Sequence, residues 1–85
     1  MLPIEQLQNL IQGKKVAFIG AGVSHKRCIE QFVELGAQVT LCDQKKSLED
    51  FGAYADTLRR LHVRLSLGEH YTDGFAGQDI IMRTP

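Results

Sequence analysis

The sequence lacks the features that would assign it to several special classes of protein. Its ten basic and ten acidic residues leave no net charge, so it has no broad electrostatic field for nucleic acid or an anionic membrane. Its longest apolar run, residues 16–19, is far below the ~20 residues that span a bilayer. Its two cysteines, Cys28 and Cys42, form no CxxC pair, which indicates a reducing compartment.

The first residues of the chain do not have the pattern of a secretion signal. Residues 1–6 have neither the basic start nor the small-residue cleavage site of a signal peptide, which favours a cytoplasmic location. With 44% hydrophobic and 24% charged residues in a chain of 85, the composition is that of a globular protein. We therefore expect one folded domain, without a membrane segment and without nucleic acid as a partner.

Apolar periodicity predicts alternating strands and helices. Short apolar runs bounded by glycine or polar residues predict strands, and apolar residues three and four apart predict helices. A capping box at Ser47 starts the last predicted helix, and a short helical turn is expected near residues 71–75. The predicted strands are residues 16–19, 39–42, 63–67 and 79–82, and the predicted helices are residues 4–11, 24–35 and 48–61.

This order predicts an α/β fold. The first two strands are too far apart for a hairpin and must be joined in parallel by a crossover helix. We expect one Rossmann-like domain over residues 1–85, with a mostly parallel sheet of order 3-2-1-4 flanked by helices. The last predicted strand has no following element to cover it, so we expect apolar surface around Ile80 and Met82 and a natural chain that continues beyond Pro85.

The strongest functional signal is a glycine turn between the first strand and the first crossover helix. Gly20 and Gly22 would let a phosphate approach the backbone, and Val23 and Ser24 would open a helix whose N-terminus attracts anions. The alternative is that both glycines serve only the turn and its packing. The strand-turn-helix context favours phosphate binding.

An acidic residue follows the glycine turn at the distance typical of nucleotide-binding folds. Asp43 lies about 20 residues on, at the tip of the second strand, where an acid recognises the nucleoside. The alternatives are a solvated strand-end residue or a cap for the loop that begins at Gln44, and we favour nucleoside recognition over both. The third glycine of the dinucleotide pattern is His25 here, which disfavours NAD.

Other polar residues give weaker signals. Lys26 and Arg27 lie in a first helical turn, which is unfavourable for cations unless an anion is near; two solvated side chains are the alternative. His25 and Cys28 lack further ligands at a matching spacing, so we expect no metal site. Residues 69–71 are polar enough to suggest acid-base chemistry, but a surface loop explains them equally well, so we assign them no catalytic role. We expect His62 to be a cation that complements a helix end.

In their order and spacing, several segments resemble the opening domain of the D-glutamate-adding members of the Mur ligase family. These segments are residues 13–24, residues 36–43, the glycine turn at residues 67–70 and the Thr-Pro end of residues 79–85. Members of that family are several times longer, with a central ATP-binding domain and a C-terminal domain that this sequence does not contain.

The resemblance implies a role in bacterial peptidoglycan synthesis, in the cytoplasm. The first domain would hold the uridine diphosphate (UDP) part of UDP-N-acetylmuramoyl-L-alanine, with Val23 and Ser24 at the pyrophosphate, Asp43 and Gln44 at the nucleoside, and Gly68 beside the base. In the whole ligase, ATP with Mg²⁺ would convert the substrate carboxylate into an acyl phosphate, which the amine of D-glutamate attacks. No catalytic or metal-binding residue is expected within these 85 residues, and no cofactor of their own.

Two other functions stay open. One is an NAD-binding domain of a regulatory protein or oxidoreductase, in which Asp43 would bind a ribose hydroxyl. The other is a small interaction module that has kept only the fold, because fold alone does not decide function.

Overall fold

The computed structural model describes residues 4–20 and 23–83, and within them strands alternate with helices as the sequence predicts. Two 3₁₀ turns accompany the regular elements. The helices are α1 (Ile4–Ile11), α2 (Val23–Glu34) and α3 (Tyr54–Arg60), the strands are β1 (Lys15–Ile19), β2 (Gln38–Asp43), β3 (Arg64–Leu67) and β4 (Ile80–Arg83), and the 3₁₀ turns are Leu48–Phe51 and Tyr71–Phe75.

The four strands form one parallel sheet of order β3-β2-β1-β4, as predicted. The central strand β1 is flanked by β2, with Val16 opposite Val39, and by β4, with Val16 opposite Ile80. Two hydrogen bonds lock the start of the β1–β4 pair: the Lys15 N–H donates to a carboxylate oxygen of Asp79 at 2.9 Å, and the Asp79 N–H donates to the Lys15 carbonyl at 2.8 Å. Because all the strand pairs are parallel, the carboxyl ends of the four strands meet at one edge of the sheet.

The main core lies between the sheet and the helices. Alternate residues of the strands point to this side, and Phe18 in β1 meets Phe32 of α2 edge-to-face, with ring centroids 5.4 Å apart. Every helix contributes to the same cluster. Its buried members are Ile11, Val16, Phe18, Ile29, Phe32, Val39, Leu41, Leu58 and Val63.

The opposite face of the sheet is covered in part by the second 3₁₀ turn. An added Cβ at Gly74 would lie 2.6 Å from the Ser66 Cβ and 2.8 Å from the Cys42 Sγ, so the turn rests directly on β2 and β3. The Gln78 amide donates to the Thr40 hydroxyl at 3.3 Å and to the Gly74 carbonyl at 3.1 Å. Close backbone approach and partly buried hydrogen bonds thus hold this turn against the sheet.

Two expectations from the sequence need correction. The helix predicted over residues 48–61 is divided into a 3₁₀ turn and α3, because Gly52 takes φ 61° and ends the first segment. Ile80 and Met82 are half-buried against the core, and it is Ile81, on the other face of β4, that is 47% exposed. The one-residue alternation of a strand explains the difference, because neighbouring side chains point to opposite faces.

His62 terminates α3 in a conformation that strains a side chain. Its φ is 57°, in the left-handed region, where a β-carbon crowds the following carbonyl. We expect His62→Gly to raise the free energy of unfolding by up to ~1 kcal/mol and His62→Val to lower it by about as much. Chemical denaturation of the three proteins checks this; equal stabilities would contradict it.

Candidate nucleotide-binding site

A crevice of ≈ 250 Å³ opens at the carboxyl edge of the sheet, between the tips of β1 and β2. Ligands of open α/β sheets bind in this position, because loops diverge there and helix N-termini point at it. Three of the residues predicted from the sequence are among its six lining residues. The lining consists of Ile19, Gly20, Cys42, Asp43, Gln44 and Tyr71.

Gly20, the first residue of the glycine turn, is held by its backbone conformation and a hydrogen bond. Gly20 has φ 84°, which a side chain rarely adopts, and its N–H donates to the Cys42 carbonyl at 2.8 Å. Val23 and Ser24 form the start of α2, three and four residues after Gly20. Gly22 lies outside the described residues. The described part of this turn therefore agrees with the predicted strand-turn-helix geometry.

Asp43 holds the loop after β2 and also faces the crevice. One carboxylate oxygen, Oδ1, accepts the Lys45 N–H at 2.9 Å, which is the loop-capping role that the sequence left open. The other oxygen, Oδ2, makes no hydrogen bond to any residue in the described ranges. A carboxylate offers about four acceptor positions, so capping leaves room for a ligand donor. Gln44, beside it, is exposed.

Gly68 lies behind the crevice and does not line it. Its N–H donates to the Asp43 carbonyl at 3.0 Å, and its own carbonyl accepts the Tyr71 N–H at 3.2 Å. The loop after β3 is thereby tied to the tip of β2. Gly68 is brought next to the predicted site residues through Asp43.

Tyr71 and Cys42 also line the crevice, although the sequence patterns do not predict them there. A surface loop was one expectation for Tyr71, but the residue is half-buried and belongs to the crevice lining, and its ring meets Phe75 edge-to-face, with centroids 6.2 Å apart. Two aromatic residues four apart, just after a glycine turn, were the available signal. Burial raises the pKa of the Cys42 thiol, so it stays protonated at neutral pH and forms an uncharged floor.

The cations of the first turn of α2 differ from each other. The Lys26 ammonium lies 5.0 Å from the centre of the Tyr54 ring, and the Tyr54 hydroxyl donates to the Lys26 carbonyl at 3.2 Å. Burial, with the nearby charge of Glu30, raises the pKa of Tyr54. Lys26 is thus held on an aromatic ring, whereas Arg27 is exposed.

Among the described residues, no three or more His, Cys, Asp or Glu side chains come together as metal ligands. None of the helices in the described part of the chain is long and apolar enough to span a bilayer. Glu69 and His70 are exposed in the loop that follows β3.

A parallel sheet of order 3-2-1-4, with a glycine turn between its central strand and a crossover helix, defines a Rossmann-like domain. A structural relative agrees: glutamyl-tRNA reductase from Methanopyrus kandleri superposes over 94% of this chain and 20% of its own, with a TM-score of 0.65 at 19% identity. Similarity at this level concerns the fold. No protein-family model matches the sequence.

The chain is similar in sequence to D-glutamate ligases of two bacteria. Over 80 residues, 94% of the chain, it is 44% identical to a UDP-N-acetylmuramoylalanine--D-glutamate ligase of Clostridium beijerinckii and 42% identical to that of Clostridium botulinum strain Okra. It spans 17% of the length of each. The chain is therefore a homologue of the N-terminal part of these D-glutamate ligases.

Proposed function

We propose that this chain binds the UDP part of UDP-N-acetylmuramoyl-L-alanine and so anchors the substrate of an ATP-dependent ligase that adds D-glutamate during peptidoglycan synthesis. The observation that carries the proposal is the convergence of Gly20, Asp43 and Gln44 on one crevice. The ligase relatives, 42–44% identical, support the choice of substrate.

The nucleoside end of the ligand suits the tip of β2. The uracil imide N–H is a donor, and the Asp43 Oδ2 is an acceptor with no hydrogen-bond partner among the described residues. A hydrogen bond to a charged acceptor contributes about 1.5–3 kcal/mol. Gln44 adds an amide at the crevice, and Gly68 fixes the Asp43 carbonyl from behind.

The phosphate end suits the start of α2. The pyrophosphate would lie at Val23 and Ser24, where the N-terminus and positive dipole end of a helix favour negative charge. In this proposal, the remainder of a longer chain binds ATP and Mg²⁺ and forms the amide bond. These 85 residues bind and orient.

The test is calorimetric titration with UDP-N-acetylmuramoyl-L-alanine, UDP and NAD. We expect the uridine ligands to bind and NAD to bind more weakly. Asp43→Ala should weaken UDP about 10- to 150-fold. Asp43→Asn should weaken it comparably while keeping the loop, because an amide oxygen can still accept the Lys45 N–H but its NH₂ group cannot accept the imide proton.

Asp50→Asn is the matched control. The Asp50 carboxylate also accepts a backbone N–H, that of Ser47 at 3.3 Å, but it does not line the crevice. This variant should bind UDP as the unaltered chain does. Tighter binding of NAD than of UDP would overturn the proposed function, and unchanged UDP binding by Asp43→Ala would remove Asp43 from the site.

A further inference from the structure

Tyr71 is a half-buried aromatic residue in the lining of the crevice. Its N–H donates to the Gly68 carbonyl, and its own carbonyl accepts the Ser66 hydroxyl at 2.9 Å, so the backbone is held at both sides. The edge-to-face contact with Phe75 limits rotation of the ring. The Tyr71 hydroxyl has no hydrogen-bond partner in the described part of the chain, so the fold does not require it.

The lining of the crevice divides by polarity in the way that a nucleobase does. Ile19 and the protonated Cys42 thiol are apolar, Tyr71 is aromatic, and Asp43 and Gln44 carry the hydrogen-bonding groups. A nucleobase likewise has apolar faces and a polar edge. Aromatic side chains stack on bases of any identity, whereas polar groups select among them.

We infer that Tyr71 stacks on the base of the nucleotide and positions its edge toward Asp43. The inference rests on the proposed function and deepens it by separating two contributions. The Tyr71 ring holds the face of the base, and the carboxylate reads its edge. Tyr71 is then a positioning residue for the substrate and takes no part in chemistry.

A pair of ligands isolates the stacking contribution. UDP and 5,6-dihydro-UDP have the same imide edge and the same phosphates, but the saturated ring is puckered and has no aromatic face. The unaltered chain should bind UDP about 5- to 100-fold more tightly than the dihydro compound. Tyr71→Phe should keep this preference, and Tyr71→Leu should lose it through weaker binding of UDP.

Tyrosine fluorescence gives a second readout that does not depend on removing the ring. The chain has two tyrosines and no tryptophan, so Tyr54→Phe leaves Tyr71 as the only emitter. UDP should quench emission in that variant, because the base would lie against the emitting ring. In Tyr71→Phe, where Tyr54 alone emits from beneath Lys26, UDP should leave the emission unchanged.

The outcomes separate the inference from the proposed function. Absence of UDP binding to the unaltered chain would overturn both. UDP binding with an equal preference over dihydro-UDP in Tyr71→Leu, or without quenching in Tyr54→Phe, would overturn the stacking role and leave the proposed function standing. Should Tyr71→Leu fail to fold, the fluorescence of Tyr54→Phe decides the question.

Discussion

Phe18→Ala is expected to lower the free energy of unfolding by about 3–5 kcal/mol, the range for removing a buried aromatic side chain. Phe18 is fully buried in the central strand and contacts Phe32 across the core. Small domains are stable by only about 5–15 kcal/mol, so this loss removes a large share of the total. Urea denaturation followed by circular dichroism measures it directly.

Leu10→Ala is the control for the Phe18 experiment. Leu10 is a large apolar residue too, but 55% of it is exposed, so its truncation opens no cavity. We expect a change within about 0.5 kcal/mol. Comparable losses at the two positions would contradict the assignment of Phe18 to the centre of the core.

Gly74→Val is expected to destabilise the chain by about 3 kcal/mol, at the upper end of the usual range for overpacking. Even a Cβ at this position would come within 2.6–2.9 Å of Ser66 and Cys42 atoms, and the Ser66 Cβ is too close to its backbone to move aside. The second 3₁₀ turn would have to lift from the sheet. Thermal unfolding measures the stability loss.

Thr72→Val provides a matched control in the same turn. It introduces the same side chain at a position that is exposed, and it should change stability by less than about 0.5 kcal/mol. The Gly74 variant should also bind UDP more weakly, because Tyr71 is carried by the turn that is displaced. Normal stability of Gly74→Val would show that the turn does not rest on the sheet as described.

Local sequence patterns were sufficient for the sheet. The continuous apolar run of β1 and the helical period of α2 depend on neighbours in sequence, and both elements were located to within one residue. The sequence indicates that Gly52 weakens the third predicted helix, but it does not predict that the helix is divided there into two segments. That break depends on its left-handed φ, which propensity alone does not determine.

Site residues were predictable from the sequence only where they lie at the ends of predicted strands. Gly20 and Asp43 end strands, and parallel strand ends share one edge, so their convergence follows from the fold. Tyr71 enters the crevice because the second 3₁₀ turn folds back onto the sheet, whereas Cys42 lies there as part of β2. That contact depends on the absence of a side chain at Gly74, and the spacing of Tyr71 and Phe75 alone does not predict it.

The two hydrogen bonds that join Lys15 to Asp79 connect residues 64 positions apart, and this separation has a kinetic consequence. Pairing across so long a stretch of chain must overcome loop entropy before it gains contacts, which slows folding. While the protein is being synthesised, β1 keeps one edge unpaired until β4 emerges from the ribosome. Unpaired edges of this kind recruit other chains, so the nascent chain exposes a site for aggregation until residue 83 is available.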